Sequence, residues 1–347
     1  MSRLLSIKTA MALACVLGAT IFPSSAAATS GTLTITSDTT LTSDHVGNIV
    51  IGADNVRLDC AGHSVTGPGS GFGIYSTNSN ITIANCITHG FYFGIFLVGS
   101  SNSSLTNDTS FDNANQGIAL NTTTGTRVTD NTLYDNPNTG IGIAFSRKSL
   151  VSNNQSFNNG EGVTLYFSDD NVVQGNRANN ESNFGFTLNN AHGNVLSDNS
   201  TRGNGHFGFW IVNAAGNALS SNLSELNAEI GFALNESDNN TFTDNQASKN
   251  NQVGFSVYLS DQNSLTDNNA SRNSEGGIGL VDASSNRISR NTANWNGGPG
   301  FGVEGTSQLN TLDQNAGCHN AFVDAADFSS GAGNTWLNNL FCTTTGI

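Results

Sequence analysis

Apolar residues in this chain recur in short alternations of two to four positions, separated by Asn and Gly, and nowhere at helical i, i+3, i+4 spacing long enough for a crossover helix. From Asn194 to Gln308 the pattern settles into five consecutive segments of 23 residues. Each opens on Asn, has an apolar residue two places on, Asn three later, a small residue, another Asn, and then Gly-Phe-x-apolar, with Ile for Phe in the fourth segment. Alternation is the period of a strand, and Asn and Gly are the residues that bend the backbone through positive φ. About three strandlets joined by tight bends, repeated at a fixed period, predict one rung of a coil. The expected fold is all-β, a single-stranded right-handed parallel β-helix (solenoid) with rungs of ~23 residues stacked roughly 4.8 Å apart.

Stacking turns equivalent positions into columns. One apolar column runs from Leu105 and Val128 through Leu196, Leu219 and Phe242 to Leu312 and Trp336, and a second from Ile95 and Ile118 through Phe186, Phe209 and Phe232 to Phe301. Small residues (Ala178, Thr201, Ser224, Ala247, Ala270, Ala293) form a third inward column. Asn residues mark two corners, one running from Asn131 to Asn339 and the other from Asn113 to Asn296. There each side-chain amide can bond the next rung and satisfy bend groups that no sheet reaches.

The beginning of the chain departs from this pattern. Arg3 and Lys8 precede an apolar run from Ala10 to Phe22 and small residues at Ala26 to Ala28, which predicts a secretory signal peptide over 1–28. No later segment is apolar enough for a membrane span. Residues 29–55 are irregular and are expected to cap the open end, and 56–347 form the repeat domain. The length, 347 residues, does not require a second domain, because a solenoid grows without a second core. A net charge of −14 excludes nucleic acid and anionic membranes as natural partners, and a monomer is expected.

Cys318 and Cys342 occupy the same rung position one turn apart, and Cys60 and Cys86 hold nearly equivalent places in the first rungs. Two disulfides, one near each end, are expected, in keeping with export to a secreted, periplasmic or cell-surface location.

The run Gly62-His63-Ser64-Val65-Thr66-Gly67, followed by Asn-x-apolar-x-x-Asn rungs up to Asn339, resembles the secreted parallel β-helix repeat proteins of the carbohydrate-binding and sugar-hydrolase type. That group is similar in fold to pectate lyases, polygalacturonases and alginate epimerases, and includes the periplasmic accessory protein of nitrous oxide reductase maturation. The resemblance implies a polysaccharide partner. It does not carry a catalytic signature across: there is no Asp-Pro-His-Asp run, and Asp169-Asp170 and Gly205-His206-Phe207-Gly208 are only fragments of the polygalacturonase series. Two Met and six scattered His make a poor soft-ligand set for copper.

Candidate chemistry comes from outward positions that become neighbours. Phe111, Tyr134 and Phe157 share one outward position on three rungs, and their rings either stack on one another or support sugar rings. Trp210 points outward between Phe209 and Ile211, with Tyr166 and Tyr258 flanking the same sheet. Asp169 and Asp170, with His192 one rung on, are the acid–base candidates. The competing reading is an Asp-Asp-Asn turn beside a solvated His. No metal site is expected. Asp244 and Asp267 stack on neighbouring rungs, but two monodentate carboxylates fall short of the roughly six to eight oxygens that calcium takes. The function expected is glycan binding along one face, with a lyase, hydrolase or epimerase, or a structural or adhesive protein, as the alternatives.

Overall fold

The computed structural model describes residues 28–347, so the expected signal peptide lies outside the described residues. The described chain is a solenoid of parallel strands in three long sheets of 12, 15 and 14 strands. One turn shows the plan: Val195–Ser197, Ser200–Arg202 and Phe209–Val212 each enter a different sheet. In the next turn Leu219 registers on Leu196, Ser224 on Thr201 and Phe232 on Phe209. The columns inferred from the repeat are therefore the physical columns of the coil. Residues 29–55, expected as a cap, already contribute strands to all three sheets.

Short strands suffice because each contributes inward side chains to continuous columns, apolar in the 15- and 14-stranded sheets and small in much of the 12-stranded one. Phe186, Phe209, Phe232 and Phe255 stack ring on ring with centroids 4.6–4.9 Å apart and planes within 8°. Each is 0–1% exposed. Burial of a Phe side chain contributes on the order of 2 kcal/mol, and the column repeats that contribution turn after turn.

Asn ladders hold the corners. Asn222 donates its backbone N–H and its Nδ2 to Asn245 Oδ1 (3.0 and 2.9 Å) and Nδ2 also to Leu196 O (2.9 Å), while its own Oδ1 accepts both N–H groups of Asn199. The same pattern runs through a corner that the sequence reading did not separate out, from Asn171 through Asn194 and Asn240 to Asn334. Two carboxylates replace amides. Asp108 begins the ladder that continues in Asn131, and Glu181 fills the place between Asn159 and Asn204.

The expected cysteine pairs are bonded, with Cα separations of 4.7 Å for Cys60–Cys86 and 5.2 Å for Cys318–Cys342. At the C-terminal end Phe341 packs against Phe301 and Trp336 across the last turns. Replacing both Cys318 and Cys342 with Ser is expected to cost the last turns roughly 2–3 kcal/mol. Limited proteolysis should then remove residues beyond Cys318 first. Unchanged protection of that segment would show that the Phe301–Phe341–Trp336 packing alone pins it.

Candidate functional site

The 15-stranded sheet is wider over one stretch than elsewhere. Its strands are six residues long from Phe93–Val98 to Phe184–Asn189 and shorten to four or fewer from Phe209–Val212 onward. Along the middle of its outer face the registered residues are Phe96, Ala119, Gly142, Thr164, Thr187 and Trp210. Small side chains thus form a floor between two aromatic ends five strand spacings apart, roughly 24 Å. Phe96 is braced by Phe72 and Phe93, each 4.9 Å away, and Trp210 rests on Phe184 at 4.6 Å. The result is a groove along the axis.

Each side of the groove has its own chemistry. One wall is the column Gln116, Thr139 and Glu161, and the other is Asn121, Ala144, Tyr166 and Asn189. Glu161 accepts a 2.6 Å hydrogen bond from Thr164 Oγ1. Gly142 leaves room for the Gln116 amide to lie over the floor, since a Cβ there would sit 2.5 Å from Gln116 Oε1. Thr187 Oγ1 is buried in the floor with no hydrogen-bond partner in the protein, which leaves it short of a bond that a buried hydroxyl normally makes.

Beside Tyr166, at the corner, stand two residues the sequence reading passed over. Phe145 and Phe167 take the left-handed backbone conformation (φ 52° and 46°) and are 54% and 44% exposed. Their rings stack at 5.6 Å, with Tyr166 edge-on to both. Bulky side chains at positive φ cost on the order of 1 kcal/mol each, and neighbouring turns use Thr122, Asn190 or Asn213 at this corner. The packing of the coil does not require two exposed aromatics there.

The structure separates the expected candidates. Tyr166 and Trp210 line the groove. Tyr258 lies on the same sheet, four turns past Tyr166 and beyond Trp210. Phe111, Tyr134 and Phe157 belong to the 12-stranded sheet and stack on one another at 4.8 and 5.1 Å with planes 3° apart, extended by His89. Their faces are occupied by each other. Asp169 and His192 are adjacent, but not as an acid–base pair. Asp169 Oδ1 accepts the His192 backbone N–H (2.8 Å), while His192 Nδ1 accepts the Ala215 N–H (3.0 Å). Asp170, at φ 57°, bends the chain after Asp169 within its own turn. Asp169 also lines a hollow with Phe145, Arg147 and Phe167, on the far side of the aromatic lip from the groove. Asp267 is gripped by Arg290 through two 2.8 Å hydrogen bonds, which hold its carboxyl below the usual range.

Of the groove residues, Phe93, Phe96, Phe184 and Glu161 were not anticipated. The signal was present: the floor is the residue following each member of the Ile95–Phe209 column, and only Phe96 and Trp210 are large there.

This parallel coil is a right-handed β-helix, and the family model described as "Right handed beta helix region" matches residues 26–178. More narrowly, the chain belongs to the family described as "Periplasmic copper-binding protein (NosD)", whose model matches residues 114–247 and 178–345. No curated protein matches it in sequence. Among solved structures it is similar to the periplasmic alginate epimerase AlgG, at 15% identity and a TM-score of 0.54, over 86% of this chain and 77% of that one. It is also similar to the A-module of Azotobacter vinelandii mannuronan C-5 epimerase AlgE4, at 14% identity and a TM-score of 0.51, over 91% and 90% of the two chains. At such identities the likeness concerns the fold.

The copper in the family description was tested against the donors of this chain. Among the described residues no three of His, Cys, Asp and Glu converge on a point that could hold a metal ion. All four cysteines there are in disulfides, and both methionines fall outside the described residues. The histidines are engaged singly: His45 with Thr29 and Gly31, His206 with Glu229, His319 stacked on Trp295. The donor set present does not fit copper, which prefers clustered imidazole, thiolate or thioether.

Proposed function

We propose that this protein is exported and binds a polysaccharide lengthwise in the groove between Phe96 and Trp210. The observation that carries this is the bracketed floor: four small residues flanked by aromatic rings on the outer face of the widest sheet. Sugar rings have apolar faces that pack on aromatics and hydroxyls that bond to amides and hydroxyls, which are the groups the groove offers. Export is supported by the two disulfides, by the N-terminal residues that read as a signal peptide, and by the periplasmic setting named for the family and for AlgG. No helix among the described residues is long and apolar enough to cross a membrane. One carboxylate, Glu161, lines the groove. Hydrolysis by paired carboxylates needs two flanking the scissile bond, so the reading is binding rather than glycoside hydrolysis.

The test is a glycan array followed by titration of the best ligand. Trp210→Ala is expected to weaken binding about thirtyfold, on the order of 2 kcal/mol for an aromatic anchor at one end of the floor. Tyr134→Ala and Tyr258→Ala, outside the groove, should leave the affinity unchanged. If the parent protein bound no glycan, or if Trp210→Ala had no effect, the groove would lose its assignment.

A further inference from the structure

We propose that the groove selects neutral polysaccharide and rejects polyuronates, the reverse of what a likeness to alginate epimerases would suggest. The inference rests on the groove being the glycan site. It adds the charge class of the ligand.

Glu161 is the only Asp, Glu, His, Lys or Arg among the groove-lining residues. Among the described residues, several cations are engaged away from the groove. Arg57 pairs with Asp59, Arg202 with Glu225 and Arg290 with Asp267. Lys249 and Arg272 line a hollow formed by the 12-stranded sheet, far along the coil. Arg147 lines the hollow shared with Phe145, Phe167 and Asp169 and is not among the groove-lining residues.

A polyuronate carries one carboxylate per sugar. Bound along the floor, it would place negative charges beside Glu161 in a partly dehydrated setting with no counter-charge, where like charges repel far more strongly than in bulk water. Recognition of a carboxylate ordinarily recruits Arg or Lys. Proton abstraction beside a uronate carboxyl, the step shared by lyases and epimerases, likewise needs that carboxylate neutralised. The groove supplies instead uncharged partners for hydroxyls: the amides of Gln116, Asn121 and Asn189 and the hydroxyls of Thr139 and Thr187. Thr187 Oγ1, buried and unpartnered, is a polar atom of the floor that no protein group satisfies.

The experiment compares a neutral glucan, alginate and chitosan oligosaccharides of equal length by isothermal titration, at low salt and in 0.5 M NaCl (about a 4 Å screening length). The neutral ligand is expected to bind about a hundredfold more tightly than alginate at low salt, with an affinity that salt does not change. Glu161→Gln is expected to shrink the neutral-to-alginate ratio about tenfold, because the repelling charge is gone. Trp210→Ala should weaken whatever binds. Alginate binding as tightly as the glucan, and losing affinity in Trp210→Ala, would overturn the charge preference while leaving the groove in place. Chitosan preferred over glucan, with the preference lost in Glu161→Gln, would overturn it in favour of a cationic ligand. No binding by any of the three, or binding insensitive to Trp210→Ala, would overturn the groove assignment and this inference with it.

Discussion

Asn222→Ala is expected to destabilise the protein by about 4 kcal/mol, far more than an exposed Asn substitution. The residue is 1% exposed, and its side-chain amide makes four hydrogen bonds across three turns. Truncation leaves two buried N–H groups of Asn199 without their acceptor and removes the side-chain donor to the Leu196 carbonyl. Each buried polar group so orphaned costs roughly 1–3 kcal/mol, partly relieved if water enters the corner. The expected loss is therefore several kcal/mol rather than the roughly 1 kcal/mol typical of a point mutation. Because each turn touches only its neighbours, a lesion in the middle of the ladder weakens the coupling between the two halves as well as the total. Chemical denaturation of Asn222→Ala beside Asn251→Ala, whose side chain is exposed, checks this. Asn251→Ala should fall within about 0.5 kcal/mol of the parent. Equal midpoints for the two variants would mean that the ladder amides are decorative.

The same columns explain how much of the molecule the sequence made legible. A fixed period converts one dimension into two: once Leu196 is placed over Leu219, every other position follows, so the core, both disulfides and two of the three Asn corners could be placed from spacing alone. The site was harder for a physical reason. Outward residues are not constrained by packing, so their identity carries no period, and the groove exists only as a departure: large residues at Phe96 and Trp210 where others are small. Tyr166 and Trp210 were found because large aromatics on an outward column are conspicuous. Phe145 and Phe167 were missed because corner positions read as turns, and a turn occupied by Phe gives no local signal of which way the ring faces. Asp169 and His192 share a corner, as their spacing required, yet side-chain direction is set by backbone hydrogen bonds that spacing does not encode.

Glu181 and Asp108 show a further property hidden in the repeat: each puts a titratable carboxyl where the pattern calls for an amide, and this makes stability depend on pH. Asp108 is 1% exposed; its Oδ1 accepts the Cys86 N–H at 2.9 Å, but Oδ2 is buried with no partner. Burial pushes its pKa up to about 8, against the lowering effect of the Cys86 hydrogen bond, and burial likewise raises Glu181 to about 7. A carboxyl whose folded pKa lies above its unfolded value binds its proton more tightly when folded. Its contribution to stability is full below the unfolded pKa near 4 and is lost as pH rises to the folded pKa. Between pH 5 and 7 both groups act in the same direction, each at up to about 1.4 kcal/mol per pH unit, and Asp108 alone continues to pH 8. Carboxyls held low, such as Asp59 at about 2, lose their contribution only in stronger acid. The parent is therefore expected to be most stable near pH 4–5 and to weaken by several kcal/mol toward pH 8. Asp108→Asn should remove most of that slope. By register its new Nδ2 faces the Ile83 carbonyl, as Asn131 Nδ2 faces Leu105 O, so the amide restores the ladder without a charge to desolvate. Denaturant midpoints at pH 5 and pH 8 decide the matter: the variant should match the parent at pH 5 and exceed it at pH 8 by about 3 kcal/mol. A parent profile that is flat or rising over this range, with no gain from the amide, would show that the buried carboxyl finds its proton or its partner some other way.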